Sequence, residues 1–291
     1  MLLILAAAFV LLVLFIGGDR TAKALVTLAG NASILAACIF VIYQGANPLI
    51  TALVSCLGVT LLTLFYQNEV NQKTVAAFWS VAVVIALLMG FLWYLGTFSS
   101  IQGFPVGQYE IRESNGYAPE IGINMCLLQI AALLMLLIGA IIDTALAVTS
   151  ALYEVHLNNP RLSRKELFFS GISVGKDILG STINTLFFIF MAEYFTLFLQ
   201  FMEYYSFEQM VNSKEFAQEI ISIALCGSGC VLILPVAALL GSFFYHSSKI
   251  PAPFKRFSTK TARRIQARHN ERTTKKAERA ACKPRFPRFL I

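Results

Sequence analysis

Residues 122–154 read GINMCLLQIAALLMLLIGAIIDTALAVTSALYE, and this stretch decides the fold. Between 122 and 153 the only charged residue is Asp143. The run exceeds the roughly 20 apolar residues that cross a hydrocarbon core as an α-helix. A lone strand would leave its backbone groups unpaired in lipid, so the spanning form is helical.

Working outward, six more apolar runs occur at 2–16, 24–43, 48–66, 74–98, 178–200 and 220–245. Only 13% of the chain is charged and 57% is hydrophobic, against roughly 25% charge in soluble domains. The expected fold is all-α: a polytopic membrane helix bundle of about seven transmembrane helices in residues 1–246, followed by a basic tail at 247–291. The first run is short, but it has neither the positive start nor the small-residue cleavage site of a signal peptide before Gly17-Gly18-Asp19-Arg20. It is therefore read as a span.

Counting Lys and Arg in alternate connections sets the orientation. Arg20, Lys23, Lys73, Arg161, Arg164, Lys165, Lys176 and the fourteen in the tail share one side, giving 21 basic residues against only Arg112 and Lys214. The N-terminus is expected outside and the tail in the cytoplasm. The outer connections carry Glu110, Glu113 and Glu120, then Glu203, Glu208, Glu215 and Glu219. The tail reads as disordered or as a surface helix held to anionic lipid, each basic residue contributing ~1 kcal/mol. It contains no nucleic-acid-binding motif.

An ionisable group at membrane depth is costly and marks a partner or a polar path. Helical spacing sets Gly139, Asp143, Ala147, Ser150 and Glu154 on one small, polar stripe. The sixth span enters with Asp177, Gly180, Ser181, Asn184 and Thr185 at similar spacing. The expected site is a cluster of Asp143, Asn184, Ser181 and Thr185 between spans five and six, with Glu154 and Asp177 at its cytoplasmic mouth. The plainer reading makes Asp143 a helix–helix hydrogen-bonding group capped by Asn184 or Thr144. Glu193, in the outer part of the sixth span, is read as reaching the outer interface.

Between these spans, Ser163 and Glu166 form a capping box, with Leu162 and Leu167 as its hydrophobic staple. They predict a short helix running toward Gly171 and Gly175, which are read as a hinge before Asp177. In the last span, Gly227-Ser228-Gly229 and Pro235 interrupt the apolar run and predict a kink. The cysteines show no zinc spacing and read as small buried thiols. Nucleotide fingerprints, HExxH and metal-ligand clusters are missing from the sequence, and the Gly-x-Gly-Asp pattern of intramembrane aspartyl proteases does not precede Asp177. The expectation is a non-enzyme without cofactor or metal.

Residues 139–155, GAIIDTALAVTSALYEV, resemble the signature of the YibE/F family of bacterial membrane proteins. So do Asn159-Pro160 with LSRKEL at 162–167, GKDILG at 175–180 with NTL at 184–186, and NQKTVAAF at 71–78. The chain is more similar to the YibF type, since it lacks a large insertion after its first span. Lys176 stands where the pattern more often has Arg, and the basic tail lies outside it. The resemblance implies a bacterial plasma-membrane location and a YibE-like subunit as partner, but brings no biochemical activity. Two readings follow: a permease-like subunit moving an ion or small solute past Asp143 and Asn184, or a non-transporting scaffold fastened to a YibE-like subunit or a second copy.

Overall fold

The computed structural model describes residues 1–98 and 122–246, all of whose regular elements are helical. In chain order these are α1 (Leu2–Tyr43), α2 (Pro48–Leu61, continued by a π-helical segment, Leu62–Gln67), α3 (Gln72–Phe98), α4 (Met125–Asn158), α5 (Arg164–Glu193), α6 (Phe195–Tyr204), α7 (Phe207–Val211) and α8 (Lys214–His246). Six segments are long and apolar enough to cross a membrane: Thr21–Tyr43, Pro48–Gln67, Gln72–Tyr94, Met125–Asn158, Arg164–Ala192 and Lys214–His246. A shorter apolar helix, Ala7–Gly18, coincides with the first expected run. The acidic residues of the 99–121 connection and the basic tail lie outside the described residues.

Helix α4 is the hub. It touches α2, α3, α5 and α8, and Leu134, Leu137 and Ile141 are fully buried at its centre. One core joins these side chains to Ala52 and Leu64 of α2, Val81 and Val84 of α3, and Leu225 and Ile233 of α8. Side-chain oxygens settle the helix starts. Asn47 accepts from Leu49 and Ile50 before Pro48, and Asn124 accepts from Cys126 and Leu127. The Ser163–Glu166 capping box forms as expected, with Glu166 Oε2 accepting from the Ser163 backbone at 2.8 Å. Leu162 packs with Leu167 in a second small core that also holds Leu152 and Tyr245.

Lipid tails are as apolar as leucine, so burial alone does not bring membrane helices together; close packing does. Glycine provides it here. A Cβ at Gly229 would stand 2.5 Å from Leu137 Cδ1, and one at Gly241 would stand 2.8 Å from Leu152 Cδ2.

Residues 17–23 were expected to connect two spans, and α1 is kinked there at Gly18, whose φ 57° and ψ −146° are non-helical and part the helix in two. That backbone conformation carries no Cβ penalty in glycine. Gly171 and Gly175 are not a hinge, because they lie inside the continuous helix α5. A Cβ on Gly171 would meet the Ala238 Cβ at 3.0 Å, and one on Gly175 the Leu234 Cγ at 2.8 Å. They are one turn apart on the face against α8, so their smallness serves packing.

The sixth apolar run, 178–200, was expected to be one span but is divided: α5 ends at Glu193, Tyr194 turns the chain at φ −100° and ψ 11°, and α6 begins at Phe195. Helix α8 runs through Gly227-Ser228-Gly229 and continues on both sides of Pro235. Proline there costs one backbone hydrogen bond without ending the helix. The π-helical segment was not foreseen. Its widened turn is closed by Asn68, whose Nδ2 donates to the Thr63 carbonyl at 2.9 Å.

Candidate functional site: an open polar face on the central helix

Asp143 lies near the middle of the 34-residue helix α4, roughly 23 Å along the axis from its end at Asn158. Around the helix, Leu137, Ile138, Ile141, Ile142, Thr144, Ala145 and Val148 all turn inward and are buried. Ala132, Leu136, Gly139 and Asp143 are exposed on the other side, with Ala147 and Ser150 half-buried and Glu154 exposed beyond them. The stripe expected from spacing therefore exists as a surface feature. No described residue lies within 4 Å of where a Gly139 Cβ would be.

Asp143 forms neither a hydrogen bond nor an ion pair with any described residue, although it lies within electrostatic reach of Cys230 on α8. Asn184, Ser181 and Thr185 are likewise exposed. Thr185 Oγ1 donates to the Ser181 carbonyl at 2.9 Å, within its own helix. No hydrogen bond runs from any of these three to Asp143 among the described residues. The reason is rotational. Helix α5 packs on α8 through Gly171 and Gly175, and at about 100° per residue Asp177, Gly180 and Asn184 fall on its opposite side. Asp177 and Glu154 are both exposed. Counted by helical rise from the 159–163 connector, Asp143 is level with the Gly180–Ser181 turn, and Asn184 lies a turn farther along. The Glu193 side chain lies outside the described residues.

The interior holds polar contacts that sequence reading missed. Thr144 Oγ1 donates to the Ala140 carbonyl at 2.9 Å and lies 3.5 Å from Cys230 Sγ. The Cys230 thiol is itself 3.8 Å from the same carbonyl. Lower down, the Tyr245 hydroxyl donates to the Thr149 carbonyl, and the Tyr245 ring packs edge-on against Tyr153. On the other flank, Lys23 pairs with Glu69 at 2.7 Å, while Asn31 Nδ2 donates to Thr63 Oγ1 at 3.2 Å. Glu69 takes a left-handed φ of 62°, and its backbone carbonyl accepts from Thr74 Oγ1 at 3.0 Å. The opposite charges of Lys23 and Glu69 at the two ends of a helical hairpin were the available signal for that pair. Nothing in the pattern announced Tyr245. Among the described residues, no three His, Cys, Asp or Glu side chains gather as metal ligands would.

Helices of this length, apolarity and connection define a multi-pass membrane protein. Its sequence matches the model of the YibE/F-like protein family over residues 5–247. The chain belongs to that family, and the match covers every helix from the first apolar run to α8. No curated protein and no solved structure matches it.

Proposed function

We propose that this chain is a permease-like subunit of a larger membrane assembly, and that an ion or small solute passes along the face of α4 that carries Asp143. One observation carries the reading: a carboxyl group stands on the outer side of the most apolar span, of mean hydropathy 2.7, with no hydrogen bond or ion pair to any described residue. On insertion scales an Asp at the helix centre costs about 2.5–3.5 kcal/mol in lipid. A second subunit of the same family, either YibE-like or another copy, would cover the stripe and turn it into an enclosed polar path. Gly139 and Ala147 leave room for a close neighbour.

Asn184, Ser181 and Thr185 then line the assembly from α5, with Glu154 and Asp177 toward the cytoplasmic mouth. The 21-to-2 bias of basic residues supports an orientation with the N-terminus outside and the tail in the cytoplasm of a bacterial plasma membrane, resting on anionic lipid. The proposed role is non-enzymatic and needs no cofactor or metal.

The same open face favours a second reading, a scaffold that fastens its partner through Asp143 and conducts nothing. Flux across vesicles holding the purified assembly separates the two. In the first reading wild type moves protons, sodium, potassium or a small solute, and Asp143→Asn abolishes the movement while the assembly persists. In the second, neither protein conducts, and Asp143→Asn weakens the assembly.

A further inference from the structure

Helix α6 (Phe195–Tyr204) has three distinct sides. Phe198 and Phe201 turn inward: Phe198 meets Phe216 of α8 with ring centroids 5.7 Å apart, Phe201 is 6% exposed, and Phe201 packs edge-on at 5.3 Å with the exposed ring of Tyr205 just past the helix end. A quarter turn away, Phe195, Leu199 and Met202 form an exposed apolar stripe, 59%, 53% and 77% exposed, at the i, i+4, i+7 spacing of one helical face. Thr196, Gln200 and Glu203 are also exposed, on the side directed away from the bundle.

We propose that α6 lies in the plane of the membrane surface, with the Phe195–Leu199–Met202 stripe seated at the boundary between headgroups and acyl chains. A helix of ten residues is about 15 Å long and cannot cross a bilayer. Its polar side opposes its packed side and its apolar stripe lies on the flank, as required when water is above the helix and lipid beside it. Phe187, Phe188 and Ile189 before α6, Tyr204 at its end and Phe207 beyond it are exposed as well. Aromatic side chains of this kind gather where hydrocarbon meets water.

The lipid partner is defined by its apolar boundary rather than by headgroup charge. No Lys or Arg occurs between 195 and 213, whereas Glu203 and Glu208 do, so attraction to anionic lipid contributes nothing to the contact.

The test uses the full chain in phosphatidylcholine vesicles, with Trp79→Phe and Trp93→Phe as background and one tryptophan introduced at a time. Leu199→Trp and Met202→Trp should each lose most of their emission to lipids brominated near the headgroup end of the acyl chain, and less to lipids brominated near its terminus. Gln200→Trp should be quenched by aqueous iodide instead. Adding anionic lipid should change none of these values. Absence of lipid quenching at both Leu199→Trp and Met202→Trp would overturn the proposal, because protein or water would then cover the stripe. Strongest quenching from the deepest bromines would overturn it too, because α6 would then be inserted across the membrane. Two positions a turn apart guard against one variant failing to fold.

Discussion

The Tyr245 hydroxyl donates to the backbone carbonyl of Thr149 across 2.8 Å, joining α8 to α4 where both helices approach the 159–163 connector. Thr149 Oγ1 already donates to the Ala145 carbonyl at 2.8 Å. The surroundings, Leu152, Leu167 and Tyr153, are apolar or aromatic. Water therefore has little access to replace the tyrosine.

Removing that donor should be measurable and moderate. Tyr245→Phe keeps the ring contacts and loses one hydrogen bond, so unfolding in mixed detergent micelles should show a loss of about 1 kcal/mol. Tyr245→Ala also empties the volume beside Leu152 and should cost roughly 3–5 kcal/mol. Equal losses from the two variants would assign the stability to the hydroxyl rather than to packing.

The glycines separate into two groups by what surrounds them. Gly229→Val and Gly175→Val force side chains against Leu137 and Leu234, where a Cβ alone would lie at 2.5 and 2.8 Å. Each should lower stability by roughly 1–3 kcal/mol. Gly180→Ala, with no described residue within 4 Å of its Cβ, should leave the thermal midpoint unchanged or raise it, since alanine is the better helix former by roughly 1 kcal/mol.

Gly139 should behave differently again. No described residue lies within 4 Å of a Cβ at Gly139, so with Gly139→Leu the isolated subunit should fold and melt normally. If a partner rests against this face, the same change should dissociate the assembly during size-exclusion chromatography in mild detergent. A variant that stays fully assembled would show that the partner contact lies elsewhere.

The Lys23–Glu69 pair holds α1 to the connection between α2 and α3, but its side chains are 42% and 41% exposed. Lys23→Gln should therefore cost less than about 1 kcal/mol, and the loss should shrink further in high salt. A larger loss, insensitive to salt, would mean that the pair is shielded from water by lipid or by a partner.

The sequence made the spans legible because their apolar runs are long and lipid allows few alternatives. The Ser163–Glu166 box was legible for a local reason, since both residues act within one turn. Rotation was only half legible. Spacing gathered Gly139, Asp143, Ala147 and Ser150 correctly on one face of α4, but it could not say which neighbour that face meets. The Asp143–Asn184 pairing was inferred from matching depth, whereas the packing of Gly171 and Gly175 on α8 turns Asn184 the other way. Small residues are ambiguous in this respect: Gly171 reads equally well as a hinge or as a close contact until Ala238 is in place. The π-helical segment and the break at Tyr194 depend on tertiary fit and leave no periodic trace.

In the proposed assembly the Asp143 face of α4 is covered by a second protein subunit. The most direct test places a photoreactive benzoyl-phenylalanine at Leu136, an exposed residue on that face, and irradiates native membranes. A cross-linked product of this chain with a second family member or another copy is expected, lost when Gly139→Leu is added. A product consisting only of lipid adducts would contradict it.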